Sequence, residues 1–171
     1  EMPFMSFTGI TEEVYGNPYL TPSDVYNADI KWEFFPKAGL FSVAGFYKRI
    51  NNPINKTTLA GTLNSYFVAN TGAWAYVYGI EIDAKKDLYN KGGKKLFVAG
   101  NLSVMDSEME LNRKRIQEES EYNFDANFND TVSALQGAAP VLANLSLGYA
   151  LNWNENKLSA NVVYNYTSDR L

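Results

Sequence analysis

The sequence predicts an all-β fold of antiparallel up-and-down β-strands with short turns and long loops, and three observations predict it. Apolar and polar residues alternate with period two over about six runs, the links between runs alternate between short and long, and aromatic residues gather at the run ends. Composition agrees: 12 Tyr, 10 Phe and 3 Trp make up 15% of the 171 residues, and aromatic side chains favour strands over helices. The length is enough for one domain with a core and does not argue for two.

The first run, 26–34, is the clearest. Tyr26, Ala28, Ile30, Trp32 and Phe34 alternate with Asn27, Asp29, Lys31 and Glu33. Side chains alternate across a strand, so this segment separates an apolar from a polar environment. In 40–49, Phe41, Val43 and Tyr47 oppose Ser42, Ala44 and Lys48, with Phe46 an exception on the second face. In 74–88, Trp74, Tyr76, Tyr78, Ile80, Ile82, Ala84 and Leu88 oppose Gly79, Glu81, Asp83, Lys85 and Asp87, and Lys86 interrupts the apolar row. A long side chain of that kind is tolerated at a boundary, where it snorkels.

The run 96–104 sets Leu96, Val98, Leu102 and Val104 against Ala99, Asn101 and Ser103, with Phe97 and Met105 on the mixed side. In 141–153, Val141, Ala143, Leu145, Leu147, Tyr149, Leu151 and Trp153 oppose Asn144, Ser146, Gly148, Ala150, Asn152 and Asn154. The last run, 158–167, sets Leu158, Ala160, Val162, Tyr164 and Tyr166 against Ser159, Asn161, Asn165 and Thr167. Each run approaches or exceeds the roughly 9–11 residues of a tilted bilayer-crossing strand.

The short links 36–39, 90–94 and 155–157 are rich in Gly, Pro, Asn and Lys, as tight turns require. Between them lie long links over about 51–72 and 106–139. Such asymmetry, with the long loops extracellular, is the habit of outer-membrane barrels. Trp32, Phe34, Trp74, Tyr76 and Trp153 stand at run ends on the apolar face, where an aromatic ring suits a membrane interface. Alternation also suits a soluble antiparallel sandwich or small barrel, so on these observations both readings stand.

Composition excludes several function classes. The net charge is −4 and no basic stripe occurs, which argues against nucleic acid as a partner. There is no Cys and no His, which removes disulfides, thiolate metal sites, and Ser-His and Cys-His catalysis. No stretch reaches the roughly 20 apolar residues of a transmembrane helix, and no signal-peptide pattern opens at Glu1.

Several motifs then bring the barrel reading forward. The segment 15–23, Tyr15-Gly16-Asn17-Pro18-Tyr19-Leu20-Thr21-Pro22-Ser23, runs into Tyr26-Asn27-Ala28-Asp29-Ile30. It resembles the place in TonB-dependent receptors where a GNP.L.P loop enters a barrel strand. Gly45-Phe46-Tyr47-Lys48 with Asn52-Pro53-Ile54, Tyr78-Gly79-Ile80-Glu81, Gly100-Asn101-Leu102-Ser103 and Gly137-Ala138-Ala139-Pro140 follow in the family's order, in a style similar to receptors of Bacteroidetes.

The resemblance covers nearly the whole chain and implies a segment of a transmembrane β-barrel in the bacterial outer membrane. It further implies active import of a scarce nutrient such as a siderophore, haem, cobalamin or glycan. The implied partners are the TonB complex and a plug domain, both through the full-length protein, the transported ligand, and outer-membrane lipids. Neither a plug nor a TonB-contacting segment is read in 1–171, and no terminal strand ending in an aromatic residue closes it. The expectation is therefore a partial barrel domain of about six strands from the C-terminal part of a plugged 22-stranded barrel. The alternative is a soluble all-β ligand- or carbohydrate-binding module.

Candidate chemical residues are few. Glu108, Glu110, Glu118, Glu119 and Glu121 share the longest link with Arg113, Lys114 and Arg115. No Asp-x-Asp-x-Asn-Gly pattern supports calcium, so a solvated mixed-charge loop is the expectation, with helical character over 108–120. Glu81 and Asp83 lie two apart on one strand face, roughly 6–7 Å from each other, within glycosidase range. The same pattern in 27–33 favours a lumen wall, and no catalytic residue, cofactor or metal is expected. Gly79 is expected at a bend. Tyr66, Phe67 and Trp74 are aromatics where a ligand could dock, with membrane-interface anchoring the better role for Trp74.

Overall fold

A computed structural model describes residues 5–7, 13–58, 65–120 and 129–169. In chain order the elements are β1 (Met5–Phe7), β2 (Glu13–Tyr15), β3 (Asp24–Phe34), β4 (Gly39–Asn51), β5 (Ile54–Thr58) and β6 (Ser65–Asn70). They continue with β7 (Trp74–Lys91), β8 (Lys94–Glu110), α1 (Arg113–Glu119), β9 (Val132–Ser133), β10 (Val141–Trp153) and β11 (Asn156–Thr167).

The six expected runs are β3, β4, β7, β8, β10 and β11, and they pair in the order β11-β10-β8-β7-β4-β3, with β9 added beside β8. Chain order and sheet order coincide, so the main sheet is the expected up-and-down meander. Its register keeps the faces separate. Leu145 stands opposite Tyr164, Leu147 opposite both Val98 and Val162, and Tyr149 opposite both Leu96 and Ala160, while Asn144 stands opposite both Asn101 and Asn165. A slip of one residue would exchange the two faces.

Short turns join β3 to β4, β7 to β8 and β10 to β11. Gly92 and Gly93 both take positive φ, 59° and 75°, as a two-residue type I′ hairpin requires. Asn154, at φ 50°, serves the last turn and Ala38, at φ 60°, the first. Lys86, the interruption in the apolar row, donates from its Nζ to the Lys37 carbonyl of the first turn at 2.9 Å.

The long links are more structured than expected. Strands β5 and β6, inside 51–72, join β1 and β2 in a second sheet of order β1-β2-β6-β5. Its β2–β6 pair is parallel, a departure from the antiparallel rule. Along β6 burial alternates, with Ser65, Phe67 and Ala69 inside, but the buried row mixes polar and apolar residues. Hydropathy therefore carries no period there.

Strand β8 runs to Glu110, beyond the expected end at 104. Past Val104 the outward row continues as Asp106 and Glu108, while Ser107 and Met109 become the buried row. The reversal hides the strand from a hydropathy pattern. The helical character expected over 108–120 is confined to α1, because 108–110 is extended. Its N-cap is Asn112, whose side chain accepts from Arg115 N–H at 3.1 Å.

The chain divides into two compact units: 1–27 with 48–77 and 107–136, and 28–47 with 78–106 and 137–171. The first contains a small core of Phe67, Ala69 and Ile116, with Tyr15 packed against it. The second consists of sheet with two solvent-facing sides and exposed large apolar residues.

Candidate functional site

Within the second unit the apolar row is uncovered. Ile30 is 78% exposed and Val162 71%, and Trp32, Ile80, Leu145, Leu147, Trp153, Leu158 and Tyr164 are also exposed. A soluble sandwich buries its apolar face against a second sheet, and among the described residues none covers this one. An apolar band of this kind marks a surface that meets lipid or another protein surface in place of water. Trp32 stacks parallel to Phe34 at 6.1 Å and meets Phe41 edge-on at 6.2 Å beside the short turn. Trp153 flanks the short turn of β10.

The opposite face is polar and cross-linked. Asn144 donates to Asn101 Oδ1 at 2.7 Å, Ser146 to Asn161 Oδ1 at 2.8 Å, and Ser42 to Asp83 at 3.3 Å. Lys31 pairs with Glu33 at 2.8 Å and Lys95 with Asp87 at 2.9 Å. Asp83, Lys85, Asn101, Asn144 and Ser146 line a groove of about 250 Å³. Among these groups the Ser146 hydroxyl donates to Asn161 and not to Asp83. Glu81 and Asp83 take their places on this polar face, where Asp83 accepts from Ser42.

The aromatic exceptions on the polar face have a geometric reason. Phe97 stands directly opposite Gly148, and a Cβ on Gly148 would collide with the Phe97 ring. Lys85 Nζ lies 5.5 Å from the centre of the same ring. Phe46 covers Gly79 likewise, its Cζ 2.7 Å from where a Cβ would stand, with Met105 Cβ at 2.9 Å and the Val104 carbonyl also in contact. The bend expected at Gly79 is thus replaced by close approach, and β7 runs through it unbroken. Gly148→Val is expected to destabilise folding by about 1–3 kcal/mol through overpacking, and adding Phe97→Ala should recover most of that loss. Urea titration of the reconstituted protein checks both, and a Gly148→Val loss that Phe97→Ala leaves unchanged would remove the explanation.

The first unit holds a polar network centred on α1. Arg115 reaches Glu119 Oε1 at 3.2 Å, Asn52 Oδ1 at 3.0 Å, the Gly72 carbonyl at 2.9 Å and Thr21 Oγ1 at 3.2 Å. Glu119 Oε2 accepts from Asn17 Nδ2 at 2.9 Å and from Asn70 N–H at 3.0 Å. Asn70 is fully buried and ties Thr21 to Asn52: its Oδ1 accepts from Thr21 N–H, and its Nδ2 donates to the carbonyls of Thr21 and Asn52. The solvated mixed-charge loop expected here is corrected for Arg115 and Glu119, which are half-buried and held by several partners.

Other expected residues fall apart from this network. Lys114 and Glu118 form an exposed i,i+4 pair at 3.6 Å, Arg113 and Glu108 are exposed, and Glu110 accepts from Ala73 N–H at 2.5 Å. Glu121 lies outside the described residues. Among those described, no group of acidic residues is arranged to hold a metal ion.

A family model described as TonB dependent receptor-like, beta-barrel, matches residues 4–171. No curated protein and no solved structure matches the chain. The chain belongs to the TonB-dependent receptor β-barrel family.

Members of this family are outer-membrane receptors that work as transporters, not enzymes. In transmembrane β-barrels generally, an apolar outer row meets lipid and a polar inner face lines the lumen. The aromatics expected as ligand docks separate. Phe67 is buried in the core of the first unit, Tyr66 lies under Lys56 Nζ, which is 3.9 Å from the ring centre, and Trp74 is half-buried against Tyr76 at 4.8 Å. The residue missed in the sequence is Asn70. A single asparagine in an apparently irregular link carries no pattern, although Asn17, Thr21 and Asn52, which the same network holds, lie in the family-like motifs.

Proposed function

We propose that this chain supplies part of the lumen wall and extracellular loops of an active importer. It would come from the C-terminal part of the barrel domain of a Bacteroidetes-like receptor. The carrying observation is the aligned, exposed apolar row of β3, β4, β7, β8, β10 and β11 set against a hydrogen-bonded polar face. Short turns then face the periplasm and long links face outward. The cargo is a scarce nutrient of the siderophore, haem, cobalamin or glycan classes. Energy comes from the TonB complex acting on a plug domain in the full-length protein.

Brominated phospholipids test the lipid-facing assignment in the reconstituted full-length receptor. Trp32 and Trp153 are exposed on the apolar row, so Trp32→Phe and Trp153→Phe should each remove a share of the tryptophan emission that bromolipid quenches. If both substitutions left the quenchable share unchanged, these strands would not face lipid. Uptake assays with a ferric siderophore, haem, cobalamin and an oligosaccharide would then sort the cargo classes.

A further inference from the structure

The segment 16–23 is tied to α1 through its own side chains. Asn17 is used twice: its Oδ1 accepts from Tyr19 N–H at 2.8 Å, and its Nδ2 donates to Glu119 at 2.9 Å. Thr21 meets Arg115 through its hydroxyl and Asn70 through backbone and hydroxyl. Ser23 Oγ donates to the Asn52 carbonyl at 2.6 Å. Arg115 and Glu119 thus connect, within the first unit, four stretches far apart in sequence: 17–21, Asn52, 70–72 and their own helix.

The helix itself has little independent stability. It has seven residues, whereas isolated helices shorter than roughly 12–15 residues are marginal in water. Ile116 is its one buried residue, set in the Phe67 and Ala69 cluster. Its outer side carries Lys114 and Glu118, with side chains 82% and 53% exposed. Docking and helix formation are therefore one event. The polar contacts that hold the docked state can be exchanged for water, whereas a large apolar interface would resist release.

We propose that α1 is a reversible latch: its docking on the 16–23 strap orders residues 111–120, and Asn17 and Thr21 are the strap's receiving groups. Released, 111–120 loses its helix and the strap loses its anchor together. In an importer this provides a connection with two arrangements; that consequence rests on the proposed function, whereas the latch rests on the local geometry.

The test is hydrogen exchange, followed by mass spectrometry, on the intact full-length receptor in nanodiscs. Asn17→Asp keeps the acceptor for Tyr19 N–H but sets a carboxylate against Glu119. It should raise exchange in both 14–23 and 113–120 by roughly ten- to a hundredfold, the range for losing a hydrogen bond to a charged group. Ile116→Ala removes the helix's one buried side chain without touching the strap and should raise exchange in 14–23 as well as in 113–120, by roughly tenfold or more. Unchanged exchange at 113–120 in Asn17→Asp, no rise at 14–23 in Ile116→Ala, or an equal rise across 141–167 would each overturn the latch. Since 141–167 belongs to the main sheet, its exchange also reports separately on the barrel reading.

Discussion

Leu147→Arg is expected to cost the receptor about 2–4 kcal/mol of folding stability in a bilayer, the range for a basic residue at the midplane of a barrel's lipid face. Leu147 lies at the middle of β10, opposite Val98 and Val162 on the apolar row. It is 48% exposed, and where this row faces lipid, as proposed, an arginine there must be accommodated in hydrocarbon. The neighbouring Ser146 points to the polar face and bonds Asn161. Ser146→Arg therefore gives a matched control, expected to cost no more than about 1 kcal/mol, the worth of one exposed hydrogen bond. Urea titration of the full-length receptor folded into phospholipid vesicles compares the two. Equal losses, or a larger loss for Ser146→Arg, would reverse the assignment of the faces.

Asn70→Ala is expected to destabilise the first unit by about 2–3 kcal/mol, the upper part of the range for a fully buried polar side chain that loses its hydrogen bonds. The Asn70 side chain satisfies the N–H, hydroxyl and carbonyl of Thr21 and the carbonyl of Asn52, and it has no exposure. Alanine fills neither the space nor the bonding. Trypsin provides the readout, because Arg113, Lys114 and Arg115 are consecutive cleavage sites in α1. The variant should be nicked there at least tenfold faster while β10 and β11 remain protected. Cleavage at the parental rate would mean that Asn70 does not hold this region.

How far each part was legible depends on whether its environment contrast lies within the strand itself. From Tyr26 to Phe34 in β3 one side is polar at every position and the other apolar at every position, so its two faces can be read without knowing its neighbours. In β10 and β11 the alternation is broken on the polar side by Leu142 and Val163, and the observed register places apolar beside apolar. In β6 the inside row is Ser65, Phe67 and Ala69, chosen for size and fit, and hydropathy is silent. In the outer part of β8 the outward row keeps its side but changes from Leu102 and Val104 to Asp106 and Glu108, and a pattern that assumes one constant medium ends too early.

Phe46 and Phe97 look like errors in a polar row until Gly79 and Gly148 are seen beneath them. Their reason is a cross-strand vacancy, which belongs to pairs of residues separated by dozens of positions. The acidic and basic residues of 108–121 read as a uniform charged loop, yet Arg115 and Glu119 are drawn inward while Lys114 and Glu118 remain outside. Helical spacing sorts them: positions 115, 116 and 119 share the docked side.

The sequence by itself determined the class of fold, the six long strands and the two faces, because period-two alternation and turn chemistry are local properties of the chain, and its ordered motifs carried the resemblance to the family. Only the tertiary structure decided the second sheet with its parallel β2–β6 pair, the glycine pockets under the two phenylalanines, and the network of Asn17, Thr21, Asn52, Asn70, Arg115 and Glu119. Those features depend on which distant groups are left needing a partner once the strands have paired. A hydrogen bond between positions 17 and 119 has no local signature, since neither residue differs in composition from any other surface polar group until burial makes its partner necessary.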